Sequence, residues 1–469
     1  MTVWKPFAIV TNNSTLQKST STRKISCFDR HHPINQNQPA HNKSTNMKSK
    51  IQVQMDDKEV IDSMVSSKTE KERFPRLLSS DEISVESASS VSKWAAPYDP
   101  APVVEQSTVL MVGFVLFVLA QIWPPLILLV AYFACKLIPY SFRENDDPAT
   151  RRRLWAEFVR DEDLPDDFKI PSENIDVKHG FWTNRRGMLL HTVTVLPKDQ
   201  PVKAVACFCH GYTDSVSFMK LVENQRLAER GIAFCAIEYE GHGLSDGALG
   251  LFNDWNLLIG DVSSYFSEVS QQFPQKPMFL MGESMGGAVA YSVYNAVPDL
   301  FRGVVFLCPM CKISDNMLPP QSVIDVLKWL IGPSGPSASW LGYLPIAPAR
   351  NSLENVTHKV LEKRHLCSRS PLVFGRNPRL ATARELIDVT QRISKSLDQF
   401  DAPFLVLHGK DDVVTDPRLS QSLYDESPSK DKSIRLYEGM WHSLTTGEPD
   451  ENIDRVFEDC IEWIEARAK

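Results

Sequence analysis

In the stretch FLMGESMGGAVA (residues 279–290), Ser284 stands between Gly282 and Gly286, after an apolar run and before a series of small residues. A serine hydroxyl is a weak nucleophile until a neighbouring base takes its proton, and that base needs an acid to fix its tautomer. A strand, a glycine-flanked turn and a helix would push such a hydroxyl out at the carboxyl edge of a sheet, in a chain order of serine, acid, histidine. Of the eleven histidines, His442 is the one that follows the strand APFLVLHG (402–409) and its exit loop. The acid must come from that loop, GKDDVVTDP, where Asp411, Asp412 and Asp416 compete.

The elements that must position these groups are visible as short apolar runs. VKAVACFC (202–209), GIAFCAIEY (231–239), PMFLMG (277–282), FRGVVFLC (301–308), APFLVLHG (402–409) and SIRLYEG (433–439) are bounded by turn residues and separated by helical patterns such as DWNLLIGDVSSYFSEVSQQF. Short buried strands alternating with helices predict an α/β fold whose mostly parallel sheet is covered on both faces. The alternation stops from about 311 to 400. There QSVIDVLKWLI places Val323, Val326, Leu327 and Leu330 on one helical face, and a helical insertion on the sheet is expected.

Six islands in this region, HGYTDS, GHGLSDG, GESMGG, RNPRLATARELID, HGKDDVVTDP and YEGMWHSLTTGEPDEN, resemble the α/β-hydrolase superfamily over residues 175–467. The resemblance is to the branch of monoacylglycerol lipases, lysophospholipases and caffeoylshikimate esterases, with a serine aminopeptidase S33-type hydrolase domain. It implies Ser284 as nucleophile, Asp412 as the acid and His442 as the base. It also implies an oxyanion hole from the backbone N–H groups of Tyr212 and Met285, with residues 311–400 as the cap. Asp416, next to Pro417, is expected to cap the following helix, and His210 to shape its loop rather than to transfer protons.

Two positions depart from the family pattern. Glu238 stands where the strand before GHGLSDG usually ends in aspartate, and Ser215 stands where an acyltransferase box would carry aspartate. The second weakens an acyltransferase reading. A peptidase reading lacks any identifiable pocket for a charged N-terminus. A non-hydrolytic receptor or scaffold on the same fold would show a degraded triad, and here the three positions are intact.

The remaining sequence bears on location. Residues 1–102 are rich in polar residues, and Asp29 is the only acidic residue up to residue 54, so this region is expected to be disordered, with the character of a targeting segment. Residues 106–135 carry no charge, longer than the roughly 18 apolar residues that mark a span, so 106–138 is expected to be a membrane anchor. Pro124 and Pro125 interrupt it, leaving a kinked span or a hairpin open. Lys136, Arg143, Arg151, Arg152 and Arg153 follow it, which by the positive-inside tendency puts the catalytic side in the cytosol, at the endoplasmic reticulum or a lipid droplet. The acid-poor N-terminus offers a plastid as the alternative.

A net charge of −7 provides no basic footprint for nucleic acid. Nine scattered cysteines argue against a disulfide framework, and the lone pair Cys308 and Cys311 is read as packing. No metal or organic cofactor is implied. An anchored enzyme with an apolar cap points to a lipid monoester as substrate, with hydroxycinnamoyl esters as the alternative.

Overall fold

The computed structural model describes residues 144–160, 174–311, 320–332, 340–345, 347 and 354–469. Eight strands form one sheet: β1 (Ile175–Thr183), β2 (Leu189–Pro197), β3 (Ala204–Cys209), β4 (Ile232–Ile237), β5 (Met278–Glu283), β6 (Val304–Leu307), β7 (Phe404–Gly409) and β8 (Lys432–Tyr437). Their spatial order is β1-β2-β4-β3-β5-β6-β7-β8. The β1–β2 and β2–β4 pairs are antiparallel and every other pair is parallel.

The central strands are apolar, save Glu283 at the end of β5, because both of their faces are covered. Every residue of β3, β4 and β5 is buried. Side chains alternate between faces along a strand, so Val205, Cys207 and Cys209 enter one core while Ala204, Ala206 and Phe208 enter the other. Three elements precede the long helix of the first core: α1 (Pro148–Phe158), α2 (Met219–Glu223) and α3 (Gln225–Glu229). That helix is α4 (Trp255–Gln272), and α5 (Met285–Ala296) follows the central strand β5. Next come α6 (Gln321–Ile331), α7 (Glu354–Thr357), α8 (Leu361–Arg369) and α9 (Leu380–Ile393), then α10 (Pro417–Glu426) and α11 (Asp450–Arg467). Helices α4, α5 and α9 pack in the first core, and α3 and α11 in the second. Each fully buried leucine or phenylalanine adds about 2 kcal/mol of apolar burial.

The structure adds to the sequence reading in three places. The strand runs read from the sequence omitted β1 and β2, whose exposed and buried residues mix because this end of the sheet is less enclosed. The structure also shows which way α6 turns. Ile324 and Ile331 point inward, and Val323 and Val326 are exposed. Arg151 and Arg152, counted in the basic flank of the expected anchor, are also held by the folded domain. Arg151 is fully buried and donates to the carbonyls of Gly243, Ser245 and Asn145, while Arg152 pairs with Asp246 at 2.7 Å. Helix α1, ahead of residue 175, is thereby fixed onto the GHGLSDG loop.

The expected anchor at 106–138 and the expected disordered region at 1–102 lie outside the described residues. Among the described residues no helix is long and apolar enough to cross a membrane.

Candidate active site

The elbow at Ser284 is a backbone feature first. Its φ of 57° and ψ of −121° lie in a region that side chains disfavour, and α5 begins at the next residue. The flanking glycines are required by close approach. A Cβ on Gly282 would stand 2.3 Å from the Gly286 carbonyl oxygen, and one on Gly286 would stand 1.9 Å from that of Cys209. The strained turn is held from outside: Ser284 N–H donates to the Leu307 carbonyl, and its own carbonyl accepts from Gly287 and Met310. Ser284 itself is only half-buried, so the turn presents it at the sheet edge.

His442 and Asp412 meet across the ends of β7 and β8. The imidazole Nδ1 lies 2.7 Å from Asp412 Oδ2, and both residues are buried. Asp412 is fully occupied as an acceptor. Its Oδ1 accepts from the Val414 and Thr415 N–H groups, and its Oδ2 from the Thr415 hydroxyl at 2.8 Å and His408 Nε2 at 3.1 Å. Burial works against a charge on Asp412, yet His442 and these hydrogen bonds hold its carboxyl well below the usual carboxylate range. Burial likewise opposes a charged His442, but the Asp412 carboxylate outweighs it and raises the imidazole above its ordinary value. Because Asp412 can only accept, His442 carries its proton on Nδ1 and leaves Nε2 free to act as a base.

The other two aspartates have different surroundings. Asp411 is exposed. Asp416 caps α10 by accepting from Arg418 N–H and pairs with the Arg418 side chain.

The loop after β3 comes alongside the elbow, where a Cβ on Gly211 would be 3.4 Å from Ser284 Cβ. Tyr212 belongs to this loop and its hydroxyl donates to Gly250 O, while Met285 is the first residue of α5, where backbone N–H groups have no intrahelical acceptor. His210 has both ring nitrogens engaged by backbone, at Gly211 O and Tyr239 N–H, and burial lowers its proton affinity. The two departures from the family pattern turn out to be one contact. Ser215 Oγ donates to Glu238 at 2.6 Å, and the same carboxylate collects the N–H groups of Val216, Ser217 and Leu244. Glu238 therefore ties the loop beside Ser284 to the GHGLSDG turn.

The sequence singled out neither His408 nor Thr415, although both brace Asp412. Their positions within HGKDDVVTDP were the available signal. Cys308 also reaches this site, its sulfur lying within 4.8 Å of the Asp412 and His442 ligand atoms. Burial, with Asp412 nearby, pushes its thiol well up, and the Asp412 oxygens are already taken by hydrogen bonds. Those donors describe an acid that orients a histidine better than a metal-ligand set.

A family model described as serine aminopeptidase, S33, matches residues 200–450. The chain belongs to this family of α/β-hydrolases. Caffeoylshikimate esterase of Arabidopsis thaliana is 31% identical over 65% of this chain and 90% of that protein. Monoglyceride lipase of Rattus norvegicus is 26% identical over 52% of this chain and 76% of the lipase. Among solved structures, a soluble variant of monoglyceride lipase from Saccharomyces cerevisiae superimposes with a TM-score of 0.54 at 17% identity, covering 65% of this chain and all of that one. That last likeness is one of fold. With its relatives, this member of the family is a serine carboxylic ester hydrolase.

Proposed function

We propose that the protein hydrolyses lipid monoesters as a membrane-anchored monoacylglycerol lipase or lysophospholipase. Ser284 attacks the ester carbonyl while His442 takes its proton, and Asp412 holds the imidazole in register. The negative oxygen of the tetrahedral intermediate is received by the N–H groups of Tyr212 and Met285. His442 returns the proton to the leaving alcohol. Water then repeats the cycle on the acyl-enzyme and releases the fatty acid.

What carries the lipid assignment is the outer face of α6 in the cap. Val323, Val326 and Trp329 are 41%, 55% and 76% exposed. Side chains three apart on a helix lie along one side, and an apolar stripe of this kind suits an acyl or bilayer surface. The uncharged run at 106–135 supports a tether, which raises the effective concentration of a substrate living in the same bilayer. We place the catalytic side in the cytosol, at the endoplasmic reticulum or a lipid droplet. Glycosylation of the Asn355-Val356-Thr357 sequon in cells would contradict that side.

A second substrate class is favoured by a specific observation, the 31% identity to a caffeoylshikimate esterase. The discriminating test is a side-by-side assay of the full chain in detergent on a monoacylglycerol and on caffeoylshikimate. Turnover of the second with none of the first would replace the lipid assignment with a hydroxycinnamoyl esterase.

A further inference from the structure

Beneath the elbow lies a buried polar cluster that the steps above leave unused. Lys220 on α2 points its ammonium at Glu283, the last residue of β5 and the immediate neighbour of Ser284, at 2.5 Å. The same ammonium donates to the Thr445 hydroxyl at 2.7 Å, and that hydroxyl donates to Glu283 Oε2 at 2.6 Å. Asp214, in the loop that also carries Tyr212, lies 3.7 Å from the ammonium. Lys220, Glu283 and Thr445 are all buried.

These contacts join three segments far apart in sequence. One carries the Tyr212 loop, one carries Ser284, and one carries His442 three residues before Thr445. Placing a lysine and a glutamate where neither reaches water is costly unless each is paired and hydrogen-bonded, as both are here. Fold stability alone gives no reason for an ion pair at this point, since apolar residues of similar size would serve as well. The location supplies a reason.

We propose that Lys220 and Glu283 form a charge-balanced lock that positions the His442 loop against the Ser284 elbow and sets the electrostatic field at the imidazole. This rests on the assignment of Ser284, His442 and Asp412 made above. The charged and titratable groups around His442 come from every neighbouring element: Asp412 after β7 with His408 behind it, Cys308 after β6, Glu283 on β5, Lys220 on α2 beside Asp214, and His358 ahead of α8. Burial and Asp412 dominate the proton affinity of His442. Glu283 adds to it and Lys220 subtracts from it. Burial also works against the Lys220 ammonium, but Glu283 and Asp214 outweigh it and keep it charged.

The signs give the pair a signature that a purely structural role lacks. The base must be neutral to act, so the acidic limb of the kcat/KM profile follows His442. Glu283→Gln leaves Lys220 unbalanced and moves that limb to lower pH. Lys220→Met leaves Glu283 unbalanced and moves it to higher pH. The double variant K220M/E283Q removes both charges, returns the limb towards the wild-type position, and keeps the fold testable if either single variant unfolds.

The experiment is a pH profile of kcat/KM on p-nitrophenyl butyrate for the full chain in detergent micelles, with the two single variants, the double variant and Ser284→Ala. The expected result is opposite single shifts of at least about half a pH unit, a double variant within about 0.2 units of wild type, and no turnover by Ser284→Ala. Should a single variant fail to fold, the other one against the double variant decides. Limbs that stay put or move in the same direction, with Ser284→Ala inactive, overturn the lock and leave the active-site assignment standing. Activity in Ser284→Ala overturns both.

Discussion

The sheet edge and the cap are built on opposite terms. At the edge, Asp412 accepts five hydrogen bonds from four residues, the Ser284 turn is held by backbone bonds on both sides, and two buried cores pack beneath. On the cap, α6 rests on a small cluster through Ile331 and turns Val323, Val326 and Trp329 to the outside. On the proposed reading, the chemistry sits where the structure is over-determined, and substrate capture where apolar surface is left uncovered. A fold can keep one and change the other, which is why relatives on this scaffold carry names as different as caffeoylshikimate esterase and monoglyceride lipase.

If that division is right, damage at the edge should abolish turnover of every ester alike. Asp412→Asn removes the acceptor that fixes the His442 tautomer, and kcat is expected to fall about 10³- to 10⁴-fold on both soluble and lipid esters. A loss confined to lipid esters would merge the two regions. The next effect in size concerns α1. Arg151→Met strands the buried carbonyls of Gly243 and Ser245, and thermal unfolding should report a loss of about 2–4 kcal/mol. An unchanged melting temperature would make α1 a passive appendage.

The cap should behave in the opposite way. Trp329→Ser is expected to leave kcat/KM on p-nitrophenyl butyrate within about twofold, because the side chain touches no reacting group, and to reduce fatty-acid release from monoacylglycerol in vesicles severalfold. Equal losses on both substrates would mean that α6 supports the edge rather than gathering lipid. The smallest expected effect is in the pH profile. The proposed mechanism uses His442 as a neutral base, and its proton affinity is raised, so activity should fall as pH drops through a value above the ordinary 6.5 of a histidine. A limb below 6.5 would mean that burial, not Asp412, governs the imidazole.

Legibility in the sequence divides along the same line. Central strands read clearly because a parallel sheet buried on both faces leaves continuous apolar runs, and the Ser284 turn reads clearly because its glycines answer a steric demand in the backbone. The pairing of Asp412 with His442 needed the family pattern to choose among three aspartates in one loop, since spacing alone does not say which carboxylate turns inward. Strands β1 and β2 escaped because their partly exposed residues break both the alternating and the continuous pattern. The inward side of α6 was not legible for a different reason: a helix with apolar residues on two sides has no unique inward direction until its partner is known. Lys220 and Thr445 were invisible because their contacts span 225 residues of chain.

The most direct test is fatty-acid release from a monoacylglycerol dispersed in detergent by the full chain, beside its Ser284→Ala counterpart. Release by the wild-type chain that disappears in Ser284→Ala is the expected result. Folded wild-type protein that releases no fatty acid, or a Ser284→Ala variant that releases as much, would contradict a Ser284-dependent lipid monoester hydrolase.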